Sequence, residues 1–320
     1  MTILRYPDDF YYRTNEEFEN GIIPCCLNST RLFEGSVVVL GLFDGVHLGH
    51  RELFSRAAQI AKDRGVKLGA FTFRSTDSIK STAERIYPDT EKLRIFSELG
   101  VDYTVIADFK SVKNLSPRLF AESVIVDAIG ASVAVSGYNF RFGNKACGDA
   151  STLAYLMREL GGEAVAVDEV RLDNMTVSST GIRRLLTLGD VKRAAAMLGA
   201  PYSVRGSVEH GDERGRELGF PTVNLHFAEG CIIPRHGVYR AEISVGEKCY
   251  TGIANVGACP TFGKRTAHLE CHLFEFSDNI YGEEILVSLT DFIRGEAKFS
   301  SKAELLSQIN RDIEEAKATR

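Results

Sequence analysis

The chain has 320 residues, 44% hydrophobic and 25% charged, with a formal net charge of −5 at pH 7. That length predicts two domains, and the acidic balance excludes a general electrostatic hold on nucleic acid or an anionic membrane, so any anionic ligand must be gripped by local groups. No apolar run nears the ~20 residues needed to span a bilayer, and residues 1–9 carry no signal core. The reading is a cytoplasmic chain with no membrane or nucleic-acid partner. Cys25, Cys26, Cys147, Cys231, Cys249, Cys259 and Cys271 form no Cys-x-x-Cys pair, which predicts reduced thiols and no zinc.

Residues 1–34 mix aromatics and acids without period and predict an irregular lead-in with at most an edge strand. From Ser36 the pattern alternates. Ser36 to Leu40 is a buried parallel strand, and Gly41-Leu42-Phe43-Asp44-Gly45-Val46-His47-Leu48-Gly49-His50 follows it. A helix then runs from Arg51 to Asp63 and stops at Gly65. Strand, glycine-rich turn and helix together aim free backbone N–H groups and a helix dipole at an anion. Gly41, Phe43, Asp44 and Gly45 shape that turn. His47 and His50, three apart, face one way and can donate hydrogen bonds to a phosphate as charge builds on it.

Further strands are expected at Val66 to Phe73, Val101 to Ala107, Ala131 to Ser136 and Glu163 to Val170. Between them come a helix capped by Asp89 or Thr90 with Leu93, Phe96 and Leu99 as its stripe, a helix entered through Ser116-Pro117 and ended by Gly130, and one opened by Asp149 or Ser151. This is a doubly wound α/β pattern, whose ligands sit at the carboxyl ends of the strands. Gly137 to Gly143, with Asn139, lies at such an end; its aromatics could equally just cover the sheet. Ser178 to Arg183 starts another helix. There Ser179 and Thr180 either cap the helix or hold phosphate oxygens, with Arg183 clamping the same phosphate.

The pattern changes at Gly199, which sets the expected domains at 1–198 and 199–320. Six runs, from Tyr202, Thr222, Gly237, Lys248, His268 and Glu284 onward, read as strands of an antiparallel β-barrel, with Gly246-Glu247 as a two-residue hairpin turn. A last helix is capped by Ser300 or Ser301 with Glu304. In the loop before Thr222, Gly215, Arg216 and Gly219 suit a phosphate-contacting flap. Thr222 and Asn224 alternate along a strand and offer oxygen ligands to a hard cation such as Mg²⁺. Glu270 shares a face with His268 and His272. It is either simply exposed, or a carboxylate with a partner or a task.

In order, these residues resemble the bifunctional bacterial riboflavin kinase/FMN adenylyltransferase family. Gly41 to His50, Asn139 to Gly143 and Ser178 to Arg183 resemble its HxGH nucleotidyltransferase module. Gly215 to Asn224, Gly237-Val238-Tyr239, Asn255-Val256-Gly257, Pro260-Thr261, Glu270 and Arg294 to Phe299 resemble its kinase barrel. The resemblance implies two reactions: riboflavin plus ATP to FMN, with Glu270 as general base and Mg²⁺ on Thr222 and Asn224, then FMN plus a second ATP to FAD and pyrophosphate at His47, His50 and Arg183. It also implies flavin contacts from Arg294, Glu296 and Phe299, in a monomer or weak homo-oligomer. The chain departs from the family at Leu42, at Val223, and after Phe71-Thr72-Phe73, where Arg74-Ser75-Thr76-Asp77 replaces Pro-His-Pro. Two other readings stay open, a kinase with an altered transferase and a non-catalytic flavin-binding regulator. Binding alone would not require both the base and the metal ligands.

Overall fold

The computed structural model describes residues 1–6, 33–74, 84–209, 220–261 and 264–318. They form two compact units, Met1–Ala83 with Pro88–Thr176, and Glu84–Tyr87 with Val177–Arg320. The expected boundary at 198/199 thus differs from the division by packing. Helices α4 (Ser179–Leu188) and α5 (Val191–Leu198) belong to the second unit because α5 lies on two of its strands. Residues 84–87 join it through Arg85, whose N–H donates to Gly230 and whose carbonyl accepts from Ile232.

The first unit is a six-stranded parallel sheet in the order β1-β4-β3-β2-β5-β6, formed by β1 (Thr2–Tyr6), β2 (Ser36–Leu40), β3 (Leu68–Phe73), β4 (Tyr103–Ala107), β5 (Ala131–Gly137) and β6 (Glu163–Val167). The lead-in therefore supplies an edge strand, paired parallel with β4; the rest of it, residues 7–32, lies outside the described residues. Every residue of β2 is buried, as its unbroken apolar run requires. Strand order reverses between β2 and β5, so their carboxyl ends border the crevice where such sheets bind ligands.

Helix α1 (Leu48–Arg64) begins three residues earlier than expected, with His47 itself as N-cap and Gly65 closing it in the left-handed conformation. Helix α2 (Asp89–Glu98) buries Glu91, Lys92, Ile95 and Phe96, so its inner face is turned from the expected Leu93–Phe96–Leu99 stripe. Two charged residues are inside, and Arg94 forks onto the Glu91 carboxylate at 2.7 and 3.1 Å. Ser116 caps the next helix through its hydroxyl on Leu119 N–H. From Phe120 to Ile129 this segment is wound as a π-helix. Phe120, Ala121, Val124, Ile125, Ala128 and Ile129 are all buried; spacing in steps of four and five matches the wider turn. Helix α3 (Ala150–Glu159) is capped by Asp149, whose carboxylate accepts from Thr152 N–H.

The second unit is an antiparallel sheet of six strands in the order β7-β12-β9-β10-β11-β8. The strands are β7 (Tyr202–Ser207), β8 (Val223–His226), β9 (Gly237–Val245), β10 (Lys248–Thr261), β11 (Lys264–Leu273) and β12 (Glu284–Gly295). A bridge between Glu209 and Asn224 nearly closes it into the expected barrel. Val245 pairs with Lys248 across the Gly246-Glu247 turn. Tyr239, Ala241, Ile243, Leu269, Cys271 and Val287 fill the inside. Helix α6 (Lys302–Ala318) lies on the outer face, where Ile313 and Ala316 meet Val238 and Ile253. Ser301 caps it on Glu304 N–H, and Glu304 returns to Ser300 N–H at 2.8 Å.

Candidate active sites

In the first unit the stretch from Gly41 to His50 forms a strained turn at the carboxyl end of β2. Phe43 and Val46 hold φ of 54° and 40°, and Gly45 holds 80°. A β-branched residue at positive φ is a genuine outlier, costing ~1–3 kcal/mol. The turn keeps it because both side chains are packed beneath. Phe43 is 0% exposed and touches Phe54, Phe96 and the edge of His50. Any contact of Phe43 with a ligand is therefore left to its backbone. Above it the His47 and His50 rings stack at 3.7 Å, inclined by 18°. A Cβ on Gly49 would stand 3.2 Å from His47 Cε1, so glycine lets that ring lie over the helix start.

Both imidazoles are neutral at pH 7. Burial pushes His47 down to about 4, its own backbone opposing slightly. Burial also drives His50 well below 6.5, with the His47 and Lys92 charges adding to the effect. Each Nδ1 is buried with no hydrogen-bond partner among the described residues. A neutral imidazole has one donor and one acceptor; two stacked at a helix N-terminus can offer N–H groups to a phosphate without the cost of a buried cation. Asn139 stands exposed just past the carboxyl end of β5, the strand paired with β2. Gly137 and Tyr138 bring the chain round, with Phe140 N–H on Gly137 O at 3.0 Å.

In the second unit the charged site lies on the outer face of the barrel. Register places Asn224 opposite Glu270, Glu270 opposite Asn255, Asn255 opposite Val238, and Val238 opposite Arg294. Directly opposed residues face the same side, so these five form one row across β8, β11, β10, β9 and β12. Three strand spacings of ~4.8 Å each, followed around the sheet, separate Arg294 from Glu270. Thr222 donates its hydroxyl to Glu270 Oε1 at 2.8 Å. Thr222, Asn224 and Glu270 are thus brought together as an all-oxygen cluster, a donor set that suits a hard cation. Behind it Cys271 points inward, its thiol pushed up by burial and by the Glu270 charge; it is inert packing. His272 anchors the approach to β8 through Nδ1 and Pro221 O at 2.9 Å.

Arg294 is held differently from a free ligand. Its Nε and Nη2 pair with the Asp312 carboxylate at 2.9 and 2.7 Å, and Asp312 on α6 is 2% exposed. The guanidinium also sits over Phe299, 5.7 Å from the ring centre. Glu296 is exposed, with its carboxylate near His236 Nδ1 at 3.8 Å. Ser179 and Thr180 open α4 and Arg183 lies one turn further in; Ser178 is the cap, its hydroxyl accepting from Gly181 N–H. Arg183 Nη2 donates to Thr180 Oγ1 at 3.4 Å. Gly215, Arg216 and Gly219 lie outside the described residues, as do Ser75, Thr76 and Asp77. Sequence reading gave no role to Asn255, Asp312 or Lys92. Asn255 stands in a motif that resembles the kinase barrel, but its place beside Glu270 comes from strand register, and Asp312 becomes visible only through helix docking; Lys92 carried a signal, a lysine one turn before Phe96.

A family model described as FAD synthetase matches residues 29–181, and one described as riboflavin kinase matches residues 198–320. The chain is 35% identical to the bifunctional riboflavin kinase/FMN adenylyltransferase of Bacillus subtilis, over 88% of this chain and 91% of that one. It is 34% identical to the Escherichia coli protein of the same description, over 87% and 91%. A solved Streptococcus pneumoniae protein described as a macrolide-efflux protein superposes with a TM-score of 0.82 at 33% identity, covering 90% of this chain and 95% of that one. Among the described residues of this chain no helix is long and apolar enough to cross a membrane. With both modules matched in order, and relatives of this identity covering nearly its whole length, the chain belongs to the bifunctional riboflavin kinase/FMN adenylyltransferase family.

Proposed function

We propose that the chain phosphorylates riboflavin with ATP in the barrel unit and adenylylates the resulting FMN with a second ATP in the parallel-sheet unit. The observation that carries this reading is the Glu270 carboxylate, bonded to Thr222 and flanked by Asn224 and Asn255 on the outer face. A carboxylate there can take the proton of the riboflavin 5′-hydroxyl as its oxygen attacks the γ-phosphate and ADP leaves. General-base help is typically worth ~10²–10⁴ in rate. Thr222 and Asn224 would hold Mg²⁺, which when bound offsets charge on the triphosphate. In the other unit, a phosphate oxygen of FMN attacks the α-phosphate of ATP, the bond to the β-phosphate breaks, and pyrophosphate leaves. His47 and His50 donate to the oxygens that gain charge, and Asn139 follows the neighbouring strand β5 at the same end of the sheet. No side-chain nucleophile is needed.

The test is product analysis of the purified chain with ATP, Mg²⁺ and either riboflavin or FMN. Riboflavin should give FMN and then FAD, and FMN alone should give FAD. FMN that accumulates without FAD would mark the segment after Phe73 as a loss of the second reaction. No phosphorylation at all would leave a flavin-binding regulator.

A further inference from the structure

Lys92 is 5% exposed, on the face of α2 that packs against the histidine turn. Two independent contacts put it there. Phe96, one helical turn further along the same face, meets Phe43, the floor under His50. The Lys92 ammonium itself lies 3.5 Å from Thr72 Oγ1 and 3.5 Å from Phe73 O at the carboxyl end of β3, and Thr72 Oγ1 in turn donates to Leu42 O inside the turn at 3.2 Å. Burying an ammonium is costly unless its charge and its three donors are answered. Both 3.5 Å contacts are at the limit of a hydrogen bond. Among the described residues its one close partner is Asp89, at 2.9 Å, whose side chain is 34% exposed. One half-solvated carboxylate is little compensation for a cation held this deep, and a structural tether between α2 and β3 could be made by an apolar side chain. Its charge also reaches the site, since it helps keep the neighbouring His50 imidazole neutral. With both histidines uncharged, the turn supplies hydrogen bonds but no net positive charge of its own.

We propose that Lys92 is the fixed cation of the first unit's site and binds the polyphosphate of a nucleoside triphosphate, its Asp89 pair loosening as the anion enters. The proposal rests on the adenylyl-transfer reading of that site and assigns the missing charge to a helix outside the motif.

The test uses the full chain and inorganic pyrophosphate, the leaving group of adenylyl transfer and no product of the kinase step. Calorimetric titration should show pyrophosphate binding that weakens at least ~tenfold in Lys92→Met, as expected for a lost bond to a charged group, and returns largely in Lys92→Arg. FAD formation from FMN should fall with a rise in the KM for ATP, while riboflavin phosphorylation stays within about twofold of the unaltered chain. Asp89→Asn, which frees the ammonium, should tighten pyrophosphate. A purely structural lysine would instead lower the melting temperature in all three variants and leave pyrophosphate affinity unmoved. Unchanged binding and unchanged FAD formation in Lys92→Met, or no pyrophosphate binding by the unaltered chain, overturns the proposal. Lys92-dependent pyrophosphate binding in a chain that makes no FAD keeps the proposal and overturns the adenylyl-transfer reading.

Discussion

Glu270 accepts from Thr222 with one carboxylate oxygen and faces Asn224 and Asn255, so Glu270→Gln keeps its volume and its neighbours while removing the base. FMN formation should fall ~10²–10⁴-fold with FAD formation from supplied FMN unchanged, read by chromatography of the flavins; undiminished phosphorylation would remove Glu270 from the mechanism. His47 makes a prediction of a different kind. Its pKa is near 4 when folded, against 6.5 for the free side chain, so between those values the unfolded chain takes up a proton that the folded chain refuses. Stability from this group is full above pH 6.5, is lost as pH falls toward 4, and levels off below, a total of about 3 kcal/mol. His50 is shifted in the same direction and adds to the slope. Urea denaturation at pH 7 and at pH 4.5 should show the loss, and His47→Gln, which cannot titrate, should flatten it.

The turn from Gly41 to His50 shows how an element trades stability for a site. Gly49 sits in the first turn of α1, where alanine would favour the helix by roughly 0.5–1 kcal/mol. Its Cβ would also press on His47 Cε1 at 3.2 Å and tilt the ring off His50. Gly49→Ala should therefore keep or raise the melting temperature while cutting FAD formation more than tenfold, measured against an unchanged kinase rate. This element was legible in the sequence, because strand, glycines and helix follow each other within one short stretch and each part has its own local cause. So were the alternating strands, the hairpin at Gly246 and the caps at Ser116 and Asp149. The legibility stops where partners are far apart in the chain. Nothing near Arg294 announces that Asp312 takes its guanidinium, since that depends on how α6 docks on the barrel. The row from Asn224 to Arg294 needs strand register across five strands. On α2 the apolar spacing gives no sign of a buried Lys92, because a long charged side chain ordinarily stays at the surface.

At the scale of the whole molecule, two chemistries share a chain but no catalytic residue, and FMN is product of one and substrate of the other. Glu270 and its oxygen neighbours lie in one compact unit, and His47 and His50 in the other. Each half should then survive loss of the other. Glu270→Gln supplied with riboflavin should stall before FMN, and His47→Ala should stall at FMN. Mixed together, the two variants should make FAD from riboflavin, because FMN released by the His47→Ala chain can enter the intact transferase of the Glu270→Gln chain. The intermediate must cross solution, so FAD should follow a lag during which free FMN builds up. That lag should shorten as total protein rises at fixed substrate, whereas the unaltered chain shows none of this dependence if it hands FMN on within one molecule. A time course of riboflavin, FMN and FAD at two protein concentrations separates the cases. FAD from the mixture with a protein-dependent lag establishes two independent active sites joined by a diffusing product. No FAD from the mixture, with the His47→Ala chain still releasing FMN and the Glu270→Gln chain unable to use supplied FMN, would mean that the second site takes FMN only from the barrel of its own chain.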